Sequence, residues 1–89
     1  MDNNKIKFEI VNEIGVISER KGGWKKELNR VSWNGNDPKY DLREWDVSHE
    51  KMGKGITLTE AELRELKKLI DKEFEYINNV NNLIEEIED

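Results

Sequence analysis

Three tryptophans, Trp24, Trp33 and Trp45, lie among nine basic residues, Arg20, Lys21, Lys25, Lys26, Arg30, Lys39, Arg43, Lys51 and Lys54. An indole ring is a flat surface on which a nucleobase can stack, and lysine and arginine neutralise phosphates. Interleaved in one segment, the two residue types supply the chemistry of a surface for unpaired nucleic acid. Catalytic chemistry has far less to work with. His49 is the single histidine and there is no cysteine, so thiolate metal sites and disulfides are excluded. Asp46 and Glu50 could act as an acid-base pair only on a helix, in a segment that contains Val47-Ser48 and runs into Gly53 and Gly55. Neither a catalytic centre nor a cofactor or metal is expected.

The formal charge of -5 is unevenly distributed. Residues 1–58 hold 11 Lys+Arg against 10 Asp+Glu, whereas residues 59–89 hold 4 against 10. The acidity therefore belongs to the C-terminal part, and the net charge says little about what the rest can bind. The opening MDNNKIKF has neither the basic start nor the apolar run of a signal peptide, and no stretch reaches the roughly 20 apolar residues of a membrane span. A soluble cytoplasmic protein with no membrane partner is expected.

The elements that must position these side chains can be read from period and punctuation. From Ile6 to about residue 18 the even positions run Ile6, Phe8, Ile10, Asn12, Ile14, Val16, a strand with one buried face, in which Gly15 marks a bend that would curve the sheet. After the turn ERKGGW a second strand spans about 24–33. Its faces stay open: Trp24 and Leu28 take one parity, Val31 and Trp33 the other. Asn34-Gly35 and Pro38 signal a tight turn before a third strand at about 39–46, and a short fourth strand falls at about 55–58. In the third strand Tyr40, Leu42 and Glu44 oppose Asp41, Arg43 and Trp45. Because Asp41 and Arg43 are costly to bury, Leu42 is expected to point inward and Trp45 outward.

A helix over about 60–86 follows, with Thr59 as its cap and Glu62 positioned to bond back. Leu63, Ile70, Ile77 and Ile84 recur every seven residues, with Leu66, Val80 and Ile87 three residues on. The stripe is broader and longer than one small sheet needs, and a lone domain of this size buries only about 60% of its unfolded surface. The excess points to pairing with a second copy through Ile70, Phe74, Ile77, Val80 and Ile84.

At this point the chain resembles a known family. Leu42-Arg43-Glu44-Trp45, a polar gap, and then GKGITLTEAELRELKKLI from Gly53 to Ile70 are similar to the C-terminal domain of the transcriptional coactivator p15 (PC4). More narrowly they resemble its bacterial, YdbC-like single-stranded DNA-binding members. The resemblance implies an α+β fold: a four-stranded, strongly curved antiparallel sheet followed by one long C-terminal helix, forming a homodimer through the helices. It implies single-stranded DNA as ligand, with RNA or the transcription machinery as further partners, and no catalysis. The Ser-rich and Lys-rich tail of eukaryotic members has no counterpart here.

The nucleic-acid-binding set expected on these grounds is Lys21, Lys25, Lys26, Arg30, Trp33, Lys39, Arg43, Trp45, Lys51 and Lys54. Trp33 and Trp45 are the stacking candidates, Trp33 also because an aromatic occupies its place in the family. Trp24, beside Gly22-Gly23, suits hairpin packing as well as stacking. Lys54 sits between two glycines that let the backbone approach a phosphate. A different class of reading is a protein-interaction module, in which the same side chains bind a polypeptide and the terminal EEIED meets another protein.

Overall fold

The computed structural model describes residues 6–87; residues 1–5 and the last two of EEIED, Glu88 and Asp89, lie outside the described part. Four strands and one helix follow in the order β1 (Phe8–Glu19), β2 (Lys25–Trp33), β3 (Lys39–Trp45), β4 (Ile56–Leu58) and α1 (Glu60–Ile87). The β1-β2 turn is made by Gly22 and Gly23 at φ of 96° and 86°, a backbone region closed to most side chains. Asn34 and Gly35 take φ of 52° and 76°, and the Asn36 N–H reaches the Trp33 carbonyl at 2.9 Å. These are the marks of a turn whose twist suits a hairpin.

The strands form an antiparallel meander, β1-β2-β3-β4, with β1 and β4 on opposite edges. The expected strong curvature is not found. Register shifts at Ile10/Asn12, Glu13/Gly15 and Val16/Ser18 kink β1. The β2-β3 ladder, however, runs unbroken from Lys25↔Trp45 to Val31↔Lys39, so the bends stay in the edge strand and the sheet remains open. The same shifts undo the single buried face expected of β1. Phe8 and Ile10 are half-buried, while Val11, Ile14, Val16 and Ile17 are 40–59% exposed.

The pairing register sorts the side chains into two faces. Leu28, Tyr40, Leu42 and Leu58 share one, where with Ile17 and the helix residues Leu63, Leu66 and Ile70 they line an apolar cavity of about 560 Å³. The other face carries Phe8, Val31, Trp33 and Trp45 with Glu27, Asn29, Asp41 and Arg43. The tightest packing is on this second side: Val31 and Trp45 are fully buried, and so are Asn29 and Asp41 to within 1%. Both faces of β3 are therefore covered, one by the helix and the other by the chain that follows Trp45.

The helix opens as expected. The Thr59 N–H donates to Glu62 Oε1 at 2.8 Å and the Glu62 N–H to Thr59 Oγ1 at 3.2 Å, each satisfying an amide the first turn leaves free. At 28 residues it is about 42 Å long, in a molecule 69 Å in its longest dimension. The single chain described gives no evidence of the homodimer expected from the helices. In the one chain described, α1 packs its first turns on its own sheet and buries no residue. Ile70, Phe74, Ile77 and Ile84 are 37–57% exposed, and Val80 is half-buried. No helix among the described residues is long and apolar enough to cross a membrane.

Candidate nucleic-acid interface

Around Trp45 the second face is an aromatic cluster. Its ring centre lies 5.0 Å from Phe8, 5.7 Å from His49 and 6.5 Å from Trp33, the two indoles being within 13° of parallel. Trp45 does not sit on an open surface: it has no exposed area, and its place among the stacking candidates is corrected accordingly. The physical reason lies in residues 46–52. Asp46 Oδ1 accepts the Glu50 and Lys51 N–H groups at 2.9 Å each, closing a tight loop. From that loop His49, itself at φ 58°, reaches Glu27. Met52 then pairs back on Trp45. The polar linker of the sequence is thus a cover over the face that was expected to be wet.

Charge is buried there because it is paired. Glu27 is 5% exposed; its Oε1 accepts Asn29 Nδ2 at 2.9 Å, and both its carboxylate oxygens lie 3.0 Å from His49 Nε2. Arg43 donates its Nε–H to the two Asp41 oxygens at 2.9 and 2.8 Å. Burial pushes the Asp41 carboxyl above its ordinary range, against the pull of the Arg43 guanidinium. Half-buried Asp46 goes the other way: the Lys51 N–H foremost, then Ser48 and Glu50, hold it below that range. The Thr59 N–H does the same for Glu62 at the helix cap.

The GKG segment has a structural explanation. Met52 pairs with Trp45 and Ile56 with Leu42, so Gly53, Lys54 and Gly55 face only Arg43 and Glu44, one residue fewer. The extra residue makes a bulge, anchored by the Gly53 N–H on the Glu44 carbonyl at 2.9 Å. A methyl at Gly55 would overlap the Arg43 Cβ and the Leu42 carbonyl. Close backbone approach, here to β3, is what requires the glycine.

The expected binding residues do not converge on one patch. Trp33, Lys25, Lys39 and Arg43 share the second face by register; Lys26 and Arg30, opposite Glu44 and Tyr40, point to the helix side. Lys21 lies in the β1-β2 turn, Lys51 in the loop and Lys54 on the bulge, all exposed. Trp33 is half-buried, with the Arg43 guanidinium 4.6 Å from its ring centre. Arg20, named among the basic residues but left out of the expected binding set, bonds Glu44 at 2.7 Å and lies 5.3 Å from the Trp24 ring centre. Sequence reasoning missed the buried set Glu27, Asn29, Asp41. Its signal was available, since polar residues two apart on adjacent strands, Glu27/Asn29 and Asp41/Arg43, mark a polar face as continuous as an apolar one.

An antiparallel four-stranded sheet followed by a long capped helix defines a small α+β module. Among its described residues no group of three His, Asp or Glu could hold a metal ion. Residues 20–69, more than half of the chain, match the family described as Transcriptional Coactivator p15 (PC4). An uncharacterized protein of Treponema pallidum (strain Nichols) is 42% identical over 69 residues, 78% of this chain and 81% of that one. The chain belongs to the p15 (PC4) family. The family match runs from Arg20 through the first turns of α1 and leaves out β1 and the outer helix.

Proposed function

We propose that this protein binds single-stranded DNA without sequence preference, by stacking of bases on sheet aromatics and by phosphate contacts from lysine and arginine. Its role is that of a cytoplasmic transcription regulator of the coactivator type, or of a protein that handles unpaired DNA in replication and repair. A contrast in ion pairing carries this reading. On the helix three of the four cations, Arg64, Lys67 and Lys68, are matched by an acid, Glu60, Asp71 and Glu65, and Lys72 has no such match among the described residues. Around the sheet Lys21, Lys25, Lys26, Arg30, Lys39, Lys51 and Lys54 have no ion-pair partner among the described residues. Seven cations outside close ion pairs on an acidic protein suit a polyanion that releases its counterions on contact. Half-buried Trp24 and Trp33 are the tryptophans with ring surface left for a base.

A labelled dT oligomer of about 20 nucleotides tests this. Binding should quench tryptophan emission; because stacking alone does not distinguish the sugar, competition with single-stranded RNA of equal length decides between the two ligands, and the DNA reading expects RNA to compete less well. Absence of both binding and quenching at micromolar protein would remove the reading and favour a polypeptide partner.

A further inference from the structure

Arg43 looks from the sequence like a phosphate ligand, yet in the fold its Nε and Nη1 groups are already engaged, and only Nη2 has no partner among the described residues. Its side chain is 14% exposed and its partner Asp41 is 0% exposed. The Nε–H is shared between both Asp41 oxygens, the guanidinium lies over Trp33, and the Nη1 group reaches the Gly53 carbonyl at 3.4 Å and Met52 Sδ at 3.6 Å. The Arg43 Cβ is also the surface against which Gly55 closes. One side chain thus ties together β3, the end of β2 and the bulge carrying Lys54. A cation recruited by a phosphate would be free to turn toward it; this one is held through Nε by a buried carboxylate and lies over an aromatic ring.

We propose that Arg43 is a positioning residue: braced by Asp41, its guanidinium fixes the plane of Trp33 and locks the bulge that presents Lys54, and it makes no phosphate contact itself. The consequence for binding rests on the single-strand reading above; the clamp does not. Lysine cannot replace arginine here, because an ammonium has neither the planar fork for a carboxylate nor a flat face for an indole.

Two arms test it. In the unligated wild-type protein, the Arg43 Nε–H should give an NMR signal that exchanges with solvent far more slowly than that of exposed Arg64. In Arg43→Lys the Trp33 indole and Gly53 amide signals should move while those of the outer helix stay. An Arg43 Nε–H exchanging as fast as that of Arg64 would overturn the clamp, whether or not DNA binds. With the dT oligomer, Arg43→Lys and Asp41→Asn should each weaken binding about tenfold, and the slope of log affinity against log salt should not change. A phosphate ligand behaves otherwise. Arg43→Gln would then lower the slope by about 0.7, Arg43→Lys would keep most of the affinity, and Asp41→Asn, by freeing a cation, would tighten binding; any of these would overturn the proposal. Should a variant fail to fold, the wild-type complex decides: the Arg43 Nε–H signal is expected to stay in place on addition of DNA, and a large shift would contradict the assignment.

Discussion

Replacing Trp45 by alanine separates a packing residue from a binding residue. Trp45 is fully buried against Phe8, Trp33 and His49. Removing a tryptophan that buries about 250 Å² forfeits about 6 kcal/mol at 25 cal/mol per Å². Because an unfolded chain already hides some of that area, the loss falls to about 4–5 kcal/mol, inside the usual range for such truncations. A chain of 89 residues has a total stability of about 4–13 kcal/mol at typical values per residue. Trp45→Ala should therefore be unfolded or close to it in a urea titration followed by far-ultraviolet circular dichroism. Trp24→Ala, at a half-buried site beside the turn, should cost less than about 2 kcal/mol in the same assay. If Trp45→Ala kept its urea midpoint and lost only affinity for DNA, the indole would be open to solvent and the assignment of the two faces would be wrong.

Gly55→Ala should cost more than the roughly 1 kcal/mol typical of point variants, read as a lower urea midpoint, because the new methyl meets the Leu42 carbonyl and Arg43 Cβ; an unchanged midpoint would mean that the bulge yields freely. Thr59→Ala should cost about 1 kcal/mol through loss of the cap, read as a lower thermal midpoint. Acid should act through opposite signs. The depressed carboxyls of Asp46 and Glu62 contribute stability present above the ordinary carboxylate range and lost as pH falls through their lowered values. The raised carboxyl of Asp41 opposes folding at neutral pH and is relieved as pH falls through its raised value. Asp46→Asn should therefore be less stable than wild type at pH 7, with the gap closing below about pH 4; a gap independent of pH would contradict the loop assignment.

Much of the architecture is legible in the residues. The Asn34-Gly35 turn, the glycine turn at Gly22-Gly23 and the Thr59/Glu62 cap are local chemistry, and each is found where its residues stand. The faces were harder. Asp41 and Arg43 satisfy each other two residues apart on one strand, so the rule that charge stays outside places Leu42 under the helix correctly but wrongly leaves the Asp41 and Trp45 side open. The cover over Trp45 is formed by DVSHEKM, whose polarity reads as a solvated linker until His49 is seen to meet Glu27 across 22 residues. In β1 the even-numbered apolar series is regular, yet three register shifts break its correspondence with a face. Of these only Gly15 announces itself in the sequence. Curvature depends on contacts beyond any one segment, and the bend expected from Gly15 and from the resemblance stays local to β1.

The central claim is that the unpaired cations around the sheet, and not the helix, receive single-stranded DNA. Titrating the isotopically labelled protein with a dT oligomer and following backbone amide shifts tests it most directly. Shifts should appear at Lys25, Lys39, Lys51, Lys54 and the Trp33 indole, and recede as salt is raised. The amides of Arg64, Lys67 and Lys68, whose charges are already paired, should stay in place. Shifts confined to the helix, or none at millimolar oligomer, would contradict the account.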